Sequence, residues 1–250
     1  MPSKATIQKV RSLQLKKFRD EYGLFIAEGD KLVAELLAST FEVKQLFTTE
    51  HSQLVHTFNV EKDFVTADEM KRMSGLKTPS DSLAVVKIPV NKLRIDELAN
   101  GITIMLDGIQ DPGNLGTIIR LADWFGIGKI ICSENTVSCY NPKVVQATMG
   151  AISRVNMYYT PLIPLLSSLP DTIPTYGTFL NGCNIYESKL SEHGIIVMGN
   201  EGKGVTEQVE QLIQQRLYIP SFSENRVTSE SLNVAVATAI VCSEFKRRFP

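Results

Sequence analysis

The feature that most constrains this chain is a series of short apolar segments that recurs from Ile102 onward. Residues 102–106, 129–132, 155–159, 175–180, 195–198 and 217–219 are of strand length and rich in Ile, Val, Leu and aromatic side chains. Between several of them lie helix-like stretches, at 116–125, 142–149 and 232–248. Nearly continuous apolar strands that alternate with helices predict a parallel sheet covered on both faces.

A length of 250 residues permits one large domain or two ordinary ones. Upstream of the alternating region, helix and strand signals are also mixed. The pattern predicts a polar N-terminal helix to about Tyr22, a strand at 25–27, a helix at 30–39 and strands at 43–47 and 63–65. A helix at 67–73, a loop at 75–82, a strand at 83–88 and a linker at 89–100 follow. The organisation expected is a small α/β domain over 1–95 and a larger one over 96–250.

Composition narrows the functional classes. With 43% apolar and 21% charged residues the chain can bury a core and stay soluble. No apolar run is long enough to cross a membrane, and the N-terminus lacks a secretory pattern. Cys132, Cys139, Cys183 and Cys242 are widely spaced with no C-x-x-C pair, which argues against a disulfide framework or a zinc site. Reduced thiols and a cytoplasmic location are expected. His51, His56 and His193 read as surface residues, and no metal is expected.

The net charge of −1 excludes a uniformly basic nucleic-acid-coating surface. Residues 1–19 nevertheless carry Lys4, Lys9, Arg11, Lys16, Lys17 and Arg19 and no acid, and the C-terminus carries Lys246-Arg-Arg248. Such clusters attract phosphate, although a solvated helix face produces the same pattern.

Three segments of the second domain carry chemistry. In the first, Leu106-Asp-Gly-Ile-Gln-Asp-Pro-Gly-Asn114, a strand ends in a Pro-Gly turn; Asn114 is a candidate helix N-cap, with Arg120 in the first turns beyond it. In the second, Ile195-Ile-Val-Met-Gly-Asn-Glu-Gly-Lys-Gly-Val205, a buried strand runs into three glycines around Glu201 and Lys203. Glycines there let a ligand approach the backbone, but the spacing is not that of a phosphate loop or a G-x-G-x-x-G turn. In the third, Pro220 ends a strand and Ser231 is placed to cap a helix containing Ala235, Ala237 and Ala239.

In this order and spacing the segments resemble the three motifs of the SpoU (TrmH) family of RNA ribose 2′-O-methyltransferases, in the SPOUT superfamily. Asn114-x-Gly116-x-x-x-Arg120, Met198-Gly-Asn-Glu-Gly202, and Ile219-Pro220 with Ser231-Leu-Asn-Val-Ala-Val-Ala237 carry the likeness, over residues 100–248. Phe25-Ile-Ala-Glu-Gly29 and Leu83-Ala-Val-Val86 resemble the family's N-terminal RNA-binding module, which is similar to small ribosomal proteins. The resemblance implies an α/β SPOUT domain with a deep trefoil knot, preceded by a small α/β/α RNA substrate-binding domain. It also implies S-adenosylmethionine as cofactor, bound at Met198, Gly199, Ile219, Pro220 and Leu232. The implied partner is tRNA or rRNA, and the implied assembly is a homodimer through the C-terminal domain, with motif-one residues of one subunit near the donor of the other.

Methylating a ribose 2′-hydroxyl requires in-line placement and stabilisation of an oxygen that is becoming anionic. Arg120 suits that task by gripping the adjacent phosphate and the alkoxide. An arginine keeps its proton, so phosphate or solvent is the better proton acceptor. Asn114 would orient Arg120 or the ribose, Glu201 would pair with Arg120, and Ser231 and Asn233 would complete a polar wall. Residues 221–230 make a longer, more polar link than many relatives have, and mobility without donor is expected there. The alternatives are a non-catalytic RNA-binding protein of the same fold and an unrelated nucleotide-binding α/β enzyme.

Overall fold

The computed structural model describes residues 2–223 and 231–249. In chain order the elements are α1 (Lys4–Ser12), α2 (Lys16–Tyr22), β1 (Leu24–Glu28), α3 (Asp30–Leu37), β2 (Val43–Thr48), α4 (Leu54–Thr57), β3 (Asp63–Phe64), α5 (Ala67–Met73) and β4 (Ser82–Lys87). There follow β5 (Ile102–Asp107), α6 (Pro112–Trp124), β6 (Lys129–Cys132), α7 (Pro142–Thr148), β7 (Asn156–Tyr159) and α8 (Leu162–Ser167). The chain continues through β8 (Thr175–Asn184), β9 (Gly194–Gly199), α9 (Glu207–Glu210), β10 (Gln215–Tyr218) and α10 (Val234–Arg248). They form two compact units, Met1–Val90 with Ser138–Arg154, and Asn91–Val137 with Val155–Pro250.

The first unit is built on a mixed sheet of order β1-β4-β2-β3, in which β4 runs antiparallel to both neighbours. Ile7, Val10 and Leu13 of the α1 region and Met70 and Met73 of α5 pack on Ile26, Phe47, Leu83 and Val85. Thr66 and Glu69 form a capping box that fixes where α5 starts. The single N-terminal helix expected is two helices. Arg19 is buried and donates to the carbonyl oxygens of Leu13 and Gln14, so it binds the backbone that α1 leaves open at the break. Residues 138–154 also belong to this unit. The Phe25 and Tyr140 rings lie 4.9 Å apart, and Arg154 pairs with Glu35 at 2.5 Å.

The second unit holds a six-stranded sheet of order β10-β8-β9-β5-β6-β7, with every neighbouring pair parallel. All six residues of β5 are buried, as the apolar run predicted. One cluster joins Met105, Ile131, Ile195 and Val197 to Leu162, Leu165, Leu166 and Val209 from α8 and α9. Helices α6 and α10 pack on each other, α6 also on β6 and α10 on β9. In β8 the pairing with β10 jumps from Gly177 to Cys183, so residues 178–182 are left out of the register. Arg216 of β10 lies 4.0 Å from the Phe179 ring and donates to Asn181, both within that skipped stretch. Neither α8, α9 nor α4 was legible as a helix in the sequence, because each is shorter than two turns.

The basic C-terminus turns out to be partly structural. Glu244 is buried and accepts from Arg247 and Arg248. Arg248 also donates to the carbonyl oxygens of Ile185, Tyr186 and Ser188, which ties the end of α10 to the turn after β8. Hydrogen bonds first from Arg247 and then from Arg248 hold the Glu244 carboxyl below its ordinary range. A lowered carboxylate pKa contributes stability that is present above the unfolded value, about 4.3, and lost as pH falls through the folded value. Glu244→Gln is therefore expected to cost about 1 kcal/mol at neutral pH. Its stability should also vary less than wild type on acidification below that range, as read by urea melts across a pH series.

Candidate active site

The three chemistry-bearing segments meet at the carboxyl edge of the parallel sheet, where ligands bind in open α/β folds. They follow β5, β9 and β10, and the third continues into α10.

The first segment turns sharply at Gly108, whose φ of +74° favours glycine. The Gly108 N–H donates to Ser133 Oγ at 2.8 Å, and its carbonyl accepts from Asn200 Nδ2 at 2.7 Å. Asp111 then caps α6 by accepting from the Asn114 N–H at 2.8 Å, with Pro112 at the first helical position. This corrects the expected cap at Asn114 and starts the helix four residues earlier than the pattern suggested. Released from capping, the Asn114 side chain serves the site.

In the second segment the glycines serve the loop itself. A Cβ on Gly199 would lie 2.2 Å from Gly204 C and from Val205 N, so the space beside it is filled by the loop's own returning backbone. Asn200 and Gly204 exchange both backbone hydrogen bonds at 2.9 Å, and Gly204 has a φ of +70°. Asn200 Oδ1 accepts from the N–H groups of Gly202 and Lys203, and buried Asp107 accepts from the Thr206 N–H at 2.7 Å. The loop is thus folded over on itself and anchored to the end of β5 at two points. Glu201 and Lys203 are left exposed at its tip.

In the third segment the cap of α10 is Asn233, not Ser231. Asn233 Oδ1 accepts from the N–H groups of Ala235 and Val236. Ser231 is exposed and makes no hydrogen bond among the described residues. Leu232, just before the cap, is 48% exposed. Ile219 and Pro220 are half-buried immediately after β10, and Met198 is buried at the end of β9 with its sulfur accepting from Thr178 Oγ1 at 3.6 Å. Most of residues 221–230, including Arg226, lie outside the described residues.

One chain of side-chain hydrogen bonds joins the three segments. Asn233 Nδ2 donates to Asn114 Oδ1 at 2.9 Å, and Asn114 Nδ2 donates to Glu201 Oε1 at 2.7 Å. The polarity is fixed from one end. Asn233 must present its oxygen to the α10 N-terminus, so its amide nitrogen faces Asn114. Asn114 then accepts there and offers its own nitrogen to the carboxylate. Glu201 consequently pairs with Asn114 and not with Arg120, as had been expected. Arg120 is exposed on α6 and forms no ion pair among the described residues. It stands six residues beyond Asn114, which is about 9 Å along the helix and about 120° around it.

The residues missed by sequence reasoning are Asp107, Ser133 and Asn200, which hold the loops without facing outward. Their signal was present in the Asp-Gly at the end of β5, the Cys-Ser at the end of β6 and the Gly-Asn at the end of β9, all polar steps at the ends of buried strands. Among the described residues no group of three His, Cys, Asp or Glu side chains is placed to hold a metal.

Comparison with known proteins gives this geometry a family. The SpoU rRNA Methylase family matches residues 101–243, and an MRM3-like substrate binding domain matches residues 4–84. The chain is 30% identical over 241 residues to the Bacillus subtilis 23S rRNA (guanosine(2553)-2′-O)-methyltransferase RlmP, covering 94% of each chain. It superposes with a TM-score of 0.90 and 39% identity on a protein from Porphyromonas gingivalis assigned to the TrmH family of RNA methyltransferases, over 99% of both chains. An AdoMet-bound rRNA methyltransferase from Sinorhizobium meliloti is similar at a TM-score of 0.87 and 25% identity, over 100% of this chain and 98% of that one. The chain belongs to the SpoU rRNA methylase family.

Proposed function

We propose that this protein is an S-adenosylmethionine-dependent RNA methyltransferase that methylates a ribose 2′-hydroxyl in ribosomal RNA. The observation that carries the reading is the Asn233–Asn114–Glu201 chain of hydrogen bonds, which links all three family segments at the carboxyl edge of the sheet. A relative that aligns over 94% of both chains is named for the same reaction on 23S rRNA. Transfer RNA remains the second substrate class for the test below.

The residues present fit the methyl donor. The half-buried Ile219–Pro220 step and the exposed Leu232 offer apolar surface beside backbone polar groups at strand ends, as a nucleoside requires. Met198, Gly199, Ile219, Pro220 and Leu232 are assigned to hold it. When bound, S-adenosylmethionine supplies an electrophilic methyl group on a sulfonium.

The remaining work falls to this chain's own side chains. Arg120 grips the phosphate next to the target ribose and stabilises the 2′-oxygen as its negative charge grows. It stays protonated, so the proton leaves to phosphate or solvent. Asn114 spends both amide functions inside the protein, so its role is positioning: it fixes Glu201 and the α10 N-terminus relative to α6. Ser231 and Asn233 complete the polar wall. Residues 1–95 bind RNA, and the second unit, without residues 138–154, carries the transfer chemistry in a knotted topology.

The active form is a homodimer in the cytoplasm. Thr117, Arg120 and Trp124 lie at i, i+3 and i+7 on one exposed stripe of α6, and Trp124 is 85% exposed. A large aromatic beside a cation, neither with a ring or ion-pair partner among the described residues, suits a second copy of the chain, which would place Arg120 at the partner's donor site.

The test is ribose-methylation mapping across total RNA in a strain lacking the gene, with transfer of labelled methyl by the purified protein. Loss at one rRNA nucleotide is the expected result. Loss at a tRNA nucleotide moves the substrate, and loss at none with no labelled product makes the protein a non-catalytic RNA binder.

A further inference from the structure

The first unit carries a cleft of about 360 Å³ lined by Lys4, Ile7, Gln8, Arg11 and Arg72. Its walls are α1 and α5, which pack together. Lys4, Gln8 and Arg11 recur at helical spacing along an exposed stripe of α1 that adjoins the face burying Ile7 and Val10. Arg72 comes from the last turn of α5, and Arg11 donates to its carbonyl oxygen at 3.5 Å.

Of the six N-terminal cations read from the sequence, the structure sets several to other tasks. Arg19 is buried against backbone carbonyls. Lys9 and Lys17 lie over the rings of Tyr22 and Phe18. Lys4, Arg11 and Lys16 remain; Lys4 and Arg11 line the cleft, where Arg72 joins them from 61 residues beyond Arg11, and Lys16 lies outside it. No carboxylate lines the cleft. Glu69, one turn from Arg72, has its carboxylate occupied by the Thr66 N–H and hydroxyl in the capping box. Among the described residues none of the three cations is in an ion pair, whereas Arg94, Arg154, Arg216, Arg247 and Arg248 each are. Three cations outside ion pairs, of which Arg72 feels the Glu69 charge one turn away, and an amide around an aliphatic floor match a phosphodiester backbone, with Gln8 placed for a sugar or phosphate oxygen.

We propose that the α1–α5 cleft is a docking site for the RNA phosphate backbone, gripped by Lys4, Arg11 and Arg72. This rests on the reading of the protein as an RNA methyltransferase and assigns the surface that holds the substrate away from the reacting ribose. Contacts of this kind position the RNA without reading its sequence.

The experiment compares the full-length protein with the triple variant K4Q/R11Q/R72Q and with K44Q/K87Q/K92Q, which removes the same charge elsewhere. The probe is an unmodified large-subunit rRNA transcript, with binding measured across a salt series. The triple cleft variant is expected to lose about 2 from the slope of log affinity against log salt. Its affinity should therefore meet wild type near 1 M salt and fall about 100-fold below it near 0.1 M. KM for RNA should rise with kcat unchanged at saturation, and S-adenosylmethionine affinity by calorimetry should not move. An unchanged slope in a variant that keeps donor binding overturns the cleft assignment even where wild type methylates the transcript. An equal loss in the control triple overturns it too. Loss of binding to poly-glutamate with RNA binding intact replaces RNA by an acidic protein partner. If wild type binds the transcript with the expected slope difference but transfers no methyl, the cleft stands and the methyltransferase reading falls.

Discussion

Arg120→Ala is expected to lower methyl transfer to RNA by about two to three powers of ten, the usual cost of removing one donor aimed at a developing oxyanion. Donor affinity should stay near wild type, because Arg120 lies on the exposed face of α6 and takes no part in the Asn233–Asn114–Glu201 chain. Stability should change little for the same reason. The effect belongs in kcat and in KM for RNA, measured with labelled methyl and a saturating donor. Transfer near the wild-type rate would remove Arg120 from the mechanism.

The second large effect is expected from Gly199→Ala. The added methyl group would sit 2.2 Å from Gly204 C and Val205 N, and both are backbone atoms that cannot rotate aside. The loop from Asn200 to Val205 must shift by about 1 Å or more, and a misplacement of that size costs about 100-fold in rate. Here donor affinity should fall along with the rate, in contrast to Arg120→Ala. Gly202→Ala provides the comparison. Its methyl would meet nothing nearer than Asn200 Oδ1 at 3.8 Å, so its cost should be far smaller. Equal donor affinity for wild type and Gly199→Ala would show that the loop is not part of the donor site.

Mixing the two variants tests the dimer. If Arg120 serves the partner's loop, a mixed dimer contains one intact site, and random pairing restores about a quarter of wild-type activity. If both residues serve the same chain's site, mixing restores nothing.

Much of the first unit was legible because its signals are local. The strand at Phe25, the helix from Asp30 and the helix from Ala67 follow from periodicity and caps over a few residues. The parallel sheet of the second unit was legible from buried strands such as Ile102–Asp107. The caps of α6 and α10 were misread by two or three residues each. Several polar residues stood in a row at both helix starts, and only the backbone path selects which oxygen reaches the open N–H groups.

The sequence by itself determined the fold class, the division into a basic N-terminal module and an α/β module, and the three ordered segments that mark the family. Those are properties of spacing and residue type along the chain. Tertiary structure alone decided which of these residues meet. It joined Asn233, Asn114 and Glu201 into one hydrogen-bonded line and left Arg120 outside it. It withdrew Arg19 into the core and replaced it with Arg72 beside Lys4 and Arg11. Hydrogen bonds and charge pairs depend on distances between segments far apart in sequence, and packing sets those distances where local pattern cannot.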